Sequence, residues 1–135
     1  MKHSLLILSL TFLTTLFITT YSQAQETLYT KTISVSGPKN NEKKDSTFVA
    51  VTDGSFAISL NSLSNDTRFR AQRAVHRSKI TEPFHWVTLI LAHADGTDVY
   101  FKDAADFIQY MDVHGYVVES ETKQRYSTDY VFRKK

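Results

Sequence analysis

FKDAADFIQYMDVHGYVVESE, Phe101 to Glu121, is the stretch whose reading decides the fold. Its first half reads as helix and its second as strand. Ala104, Phe107, Ile108 and Met111 recur at the i, i+3, i+4, i+7 spacing of one helical face. Asp103 and Asp106 stand in or near the first turn, where carboxylates favour the positive end of the helix dipole. His114-Gly115 then matches a C-terminal cap, with Gly115 left-handed and Tyr116 folding back toward Met111. The spacing predicts a helix over 103–114 and a strand over 116–121. On this reading the junction builds a core rather than doing chemistry.

Working outward, Thr128–Arg133 reads as a closing strand with Tyr130 and Phe132 on one face, joined to its predecessor by a polar connection. Phe84–His93 is apolar on both faces, the mark of a central strand. A turn at Ala94-Asp95-Gly96-Thr97 leads to a short returning strand over 98–101. Near the start, Leu28–Val35 is rich in β-branched residues, and Gly37–Asp45 is a polar loop. Asp53-Gly54 lies between two β-rich runs, 47–52 and 55–60, which predicts a hairpin, because a tight turn wants positive φ at its centre. Asn61–Lys79 is mixed. Asn65 or Asp66 suits a helix cap, while Arg68-Phe69-Arg70-Ala71 alternates like an edge strand. A short second helix over about 66–77 is the expectation adopted. The fold class that results is α+β: a single, mainly antiparallel sheet with the principal helix packed on one face.

The first residues stand apart. Lys2 and His3 precede an uncharged run, Leu5–Ile18, and Ser22-Gln23-Ala24 has the small-x-small form of a signal-peptidase site. That run is shorter than the roughly 20 apolar residues a membrane span needs, and threonine dilutes it. Cleavage after Ala24 is expected, with 1–24 a signal peptide and 25–135 a single domain without a transmembrane span. Removing 24 of the 135 residues leaves 111, enough to bury a core without staples. The chain contains no cysteine, so disulfides and thiol chemistry are excluded. Sixteen basic residues, less Lys2, against 14 acidic ones leave a mature net charge near +1, which does not favour nucleic acid as a partner. Export to the periplasm or the extracellular space is expected.

The run Phe101-x-Asp103-Ala104-x-x-Phe107-Ile108-x-Tyr110-Met111-x-x-x-Gly115-Tyr116, with the ending Tyr130-Val131-Phe132-Arg133-Lys134-Lys135, resembles a family of small exported proteins of Gram-negative bacteria. Their pattern is a Phe, a helix close to Ala-Leu-Asn-Tyr-Met, then Gly-Trp-Glu, then a last strand ending in basic residues. Here Ile108-Gln109 replaces Leu-Asn, and Tyr116-Val117 replaces Trp-Glu. The resemblance covers about the last 50 residues. It implies the fold and export, and carries no catalytic residue.

Candidate chemistry is sparse. His76, His85, His93 and His114 lack metal-ligand spacing, and His85 and His93 lie about 27 Å apart at strand rise. No metal or cofactor is expected. There is no Gly-x-Ser-x-Gly elbow, and four glycines do not make a phosphate cradle. Asn65-Asp66-Thr67 matches a glycosylation sequon, to which a bacterial chain assigns no role. His93 with Asp95 and Asp98 is the best catalytic cluster, and it supports a hydrolase-like alternative. The stronger candidate is basic: Arg68, Arg70, Arg73, His76, Arg77 and Lys79 fall within twelve residues. On a helix Arg70, Arg73 and Arg77 would project together, and guanidinium forks suit phosphate or carboxylate. The function expected is a non-catalytic binding or interaction module for an anionic glycan, lipopolysaccharide or protein partner. A structural subunit pairing through a sheet edge is a further alternative.

Overall fold

A computed structural model describes residues 25–38, 41–64, 66–77 and 85–135, with the side chains of His76 and Arg77 outside that set. The Ser22-Gln23-Ala24 motif and Asn65 lie outside the described residues. Seven strands and one helix occur among those described: β1 (Tyr29–Ser36), β2 (Lys43–Ala50), β3 (Ser55–Ser62), β4 (Phe69–Arg77), β5 (His85–Ala92), α1 (Ala104–Val113), β6 (Tyr116–Lys123) and β7 (Ser127–Lys134). The strands form one sheet in the order β2-β1-β5-β4-β3-β7-β6, and every neighbouring pair is antiparallel. The architecture is mainly β with one helix. No described helix is long and apolar enough to cross a membrane.

The Phe101–Glu121 stretch folds into the helix and strand that its spacing predicts, although of the expected stripe Ala104 is exposed and Ile108 only half-buried. Asp103 caps the helix by accepting from Asp106 N at 2.7 Å, and the Asp106 carboxylate accepts from Lys102 N at 3.2 Å. The stripe buries Phe107 and Met111 completely. Gly115 takes φ +86°, and β6 starts at the next residue. Phe107 sits in an aromatic nest, with ring centroids 5.0 Å from Phe101, 5.3 Å from Tyr130 and 5.4 Å from Phe132. The strand period of two supplies the facing layer. Phe56, Ile58 and Leu60 of β3 line up with Phe132, Tyr130 and Thr128 of β7, and all but Thr128 are buried. Leu91 and Ala71 extend the core across β5 and β4, and Leu28 closes it at the start of β1.

Three expectations change. The stretch expected as a short helix over 66–77 is strand β4, inserted between β3 and β5. Asp66 does not cap a helix; its carboxylate accepts from Arg68 N at 3.1 Å in a tight turn that feeds the strand. Alternation wins there because it buries Ala71 on the core face and turns Arg70 and Gln72 to the other, whereas a helix would have no clean apolar stripe. Asp53-Gly54 is not a hairpin turn. β2 pairs only with β1, while β3 lies four places away between β4 and β7. Phe56, Ile58 and Leu60 gain more by burial in the centre than by pairing with an edge strand. Gly54 is accordingly absent from the positive-φ glycines, which are Gly37, Gly96 and Gly115. Finally, 98–101 is not a strand but two isolated bridges, Ala92↔Asp98 and Phe69↔Phe101.

The polar loop after β1 is shorter than expected, since Lys43–Asp45 already pair in β2. The central reading of β5 holds: Ile90, Leu91 and Ala92 are buried although they point to alternate faces. One face of the sheet carries α1. The other carries no helix among the described residues.

Removing the Phe107 ring leaves a cavity in the nest, so Phe107→Ala is expected to lower unfolding free energy by about 3–5 kcal/mol in a denaturant melt. Gly115→Ala forces a Cβ into the left-handed region and is expected to cost about 1–2 kcal/mol in the same assay. Burial raises the hydroxyl pKa of Tyr110, Tyr116 and Tyr130, with smaller contributions from Glu26, Asp53 and Glu121 respectively. The folded chain then holds protons that the unfolded chain releases, so stability is full below about pH 10 and falls as pH rises beyond it. An absorbance titration should show these tyrosines ionising late, together with alkaline loss of the fold.

Candidate functional site

The helix-free face is not a bare polar surface. β1 and β5 pair so that Lys31, Ile33 and Val35 stand opposite Ile90, Thr88 and Trp86. On the far side of β5, Gln72 is opposite Ile90 and Ala74 opposite Thr88. This register gathers Ile33, Val35, Trp86, Thr88 and Ile90 around a groove of about 280 Å³ that Arg70 and Gln72 close on one side. Ile90 is fully buried here although it lies outside the core cluster. Trp86, the sole tryptophan of the sequence, is 44% exposed in the wall.

Arg70 is held in place. Its Nε and Nη2 donate to Gln72 Oε1 at 3.2 and 2.8 Å. Residues two apart on a strand share a face, so the pairing follows from β geometry. The fork is thereby oriented beside apolar surface, where a guanidinium interacts with an anion more strongly than in open water.

The other arginines serve different ends. Arg73 faces the opposite side of β4 from Arg70. Registered β3–β4 pairing ends at Ser59↔Gln72, and Arg73 Nη1 donates to Ala57 O at 3.1 Å just beyond it. Its guanidinium carbon lies 5.6 Å from the centroid of the Phe56 ring. Arg73 therefore seals the sheet where two strands separate. Arg77 pairs through its backbone with Trp86 after a bulge between Ala74 and His76, and its side chain lies outside the described residues. Arg68 forms an ion pair with Asp66 at 2.5 Å and stacks 4.2 Å above Tyr100. That hydrogen-bonded guanidinium holds the Asp66 carboxyl below its usual range. The helical convergence of Arg70, Arg73 and Arg77 is not formed, because the segment is a strand and alternate residues point to opposite faces.

The acidic and histidine cluster also separates. Asp95 makes the turn after β5, its Oδ1 accepting from Thr97 N at 2.9 Å and Thr97 Oγ1 at 2.6 Å. The Thr97 hydroxyl, then the Thr97 amide, lower its pKa, with a smaller pull from His93. Asp98 turns away to the Lys31 ammonium at 2.5 Å, a contact that is ionic rather than a directed hydrogen bond. His93 and Asp95 instead line a cleft of about 620 Å³ with Glu26, Tyr110 and His114. The His114 side chain is 8% exposed; its Nδ1 lies 2.6 Å from Tyr110 O and its Nε2 3.6 Å from Glu26. A carbonyl can only accept, so Nδ1 carries the proton and Nε2 faces Glu26. No group of three or more His, Cys, Asp or Glu among the described residues is placed to hold a metal ion.

Sequence reasoning found Arg70 through an incorrect helical geometry. It missed the apolar floor of the groove, because Ile33 and Val35 lie on β1 and Trp86 and Ile90 on β5, two distant segments that only strand pairing unites. No family model, curated protein or solved structure matches the chain.

If Gln72 orients the Arg70 fork, Gln72→Ala frees the guanidinium while leaving the apolar floor intact. Its expected effect is a loss of anion affinity about tenfold or less, smaller than that of removing Arg70 itself, read by quenching of Trp86 fluorescence.

Proposed function

We propose that the chain is an exported, non-catalytic binding module, and that its ligand seat is the groove on the helix-free face. The ligand class that fits is a small amphipathic anion: a carboxylate or comparable acid group on Arg70, and an apolar body against Ile33, Val35, Trp86 and Ile90. The observation that carries this reading is the Arg70 fork, held by Gln72 at 2.8 Å beside an apolar groove. The groove volume lies near the lower end of small-molecule sites, which span about 300–1,000 Å³. It suits one acyl or aromatic acid better than an extended polymer. The uncharged run before Ser22-Gln23-Ala24, and the resemblance of the C-terminal pattern to small exported proteins, support export.

Trp86 offers a direct test. A medium-chain carboxylate titrated into the protein is expected to quench its fluorescence, and the neutral alcohol of the same length to bind far more weakly. Arg70→Gln is expected to weaken carboxylate binding by about 1.5–3 kcal/mol, the range for a hydrogen bond to a charged group. Equal binding of acid and alcohol, or an unchanged affinity in Arg70→Gln, would overturn the assignment.

A second reading draws on the cleft between β5 and α1. A buried imidazole with its tautomer set by the Tyr110 carbonyl presents Nε2 next to Glu26, and His93 and Asp95 lie across the same space. This is the form in which a hydrolase-like activity survives, without Asp98. It requires turnover that rises as a histidine loses its proton and disappears in His114→Ala. A panel of chromogenic esters showing no histidine-dependent turnover would remove it.

A further inference from the structure

The segment before β1 is fastened to the domain from its first described residue. The Gln25 carboxamide fills the space that a Cβ would occupy on Gly115. Three residues later Leu28 is buried, and its carbonyl accepts from Val51 N at 2.8 Å. Between them Glu26 faces His114. Lys135 N donates to Gly115 O at 2.8 Å, so the segments at 25 and 135 meet on one glycine. Gly115 holds φ +86°, where an L side chain is strained, and it has no Cβ to displace the Gln25 carboxamide.

The order of atoms in this seat is chemically specific. Of the carboxamide atoms of the exposed Gln25, Oε1 lies nearest the position a Cβ on Gly115 would take. Measured from the Cβ position, Cδ follows at 2.7 Å and Nε2 at 3.2 Å. When a glutamine is the first residue of a chain, its uncharged α-amine can attack Cδ of its own side chain. A C–N bond forms, the Cδ–Nε2 bond breaks, and Nε2 leaves as ammonia, taking the proton that the amine gives up. Oε1 stays as the carbonyl of a five-membered lactam. Amine and carboxamide on one residue react at the high effective concentration of an intramolecular pair. An α-amine with a pKa near 7.7–8.0 is partly uncharged at neutral pH. The atom retained is the one nearest the Cβ position of Gly115, and the atom lost is the farthest of the three from it.

We propose that the processed protein begins with pyroglutamate at position 25, and that its lactam carbonyl is seated on Gly115. The proposal rests on the export reading, with cleavage after Ala24. The test is the intact mass, and the mass of the first peptide, of full-length protein expressed through a bacterial export pathway. The expected result is residues 25–135 lighter by one ammonia, with the loss confined to position 25. A mass for 25–135 with glutamine intact would overturn the cyclisation while leaving the cleavage reading standing. A chain starting anywhere else would overturn both. Seating is read separately with a pyroglutamate-specific aminopeptidase. Slow removal from the folded protein and fast removal after unfolding are expected; equally fast removal from both would overturn the seat on Gly115.

Discussion

The packing of Phe107 against Phe101, Tyr130 and Phe132 is the contact on which the rest of the structure depends. It ties the one helix among the described residues to the β7 side of the sheet and sets how much of that face the helix can cover. Seven strands spaced about 4.8 Å apart make a sheet roughly 29 Å wide. A helix with its side chains is about 10–12 Å across. One helix therefore shelters β3, β7 and β6 and leaves the β1–β2 end to other means. The consequence is visible in β2, where no residue is buried and Phe48 relies on stacking against Tyr29 at 4.9 Å.

The opposite face meets the same shortage of cover in a different way. Ile90 reaches full burial there with no helix of the described residues above it. Its cross-strand neighbours are long side chains, Lys31 and Gln72. Their stems shield apolar surface while their polar ends bond elsewhere, Lys31 to Asp98 and Gln72 to Arg70. An apolar floor with an anchored guanidinium at its side is a by-product of this solution. The geometry that holds Ile90 out of water is also what suits the groove to an amphipathic anion.

Gly115 concentrates several demands in one position. It stands between α1 and β6, admits Gln25 from one direction and accepts a hydrogen bond from Lys135 in another. Its neighbours are equally engaged: His114 bonds back to Tyr110, and Tyr116 donates to Asp53 O at 2.8 Å. The helix-to-strand junction is thus where distant parts of the chain are joined, and it lies beside the histidine-bearing cleft rather than the groove.

Local pattern determined much of this protein. The helix expected over 103–114 and found at Ala104–Val113, the left-handed Gly115, the two-faced burial of β5 and the paired aromatic residues of β7 are all legible in the sequence, because each depends on spacing within one element. Tertiary structure alone decided the remainder. Asp53-Gly54 has the composition of a hairpin, yet the apolar residues that follow it are pulled to the centre of the sheet. Residues 66–77 have no decisive period, and the backbone partners offered by β3 and β5 made them a strand. That choice sent Arg70 and Arg73 to opposite faces. It also placed Arg70 of β4 beside Ile33 of β1 and Trp86 and Ile90 of β5. Sequence spacing governs which side chains share a face within an element; only the order in which strands pair governs which faces become neighbours, and the groove exists at that second level.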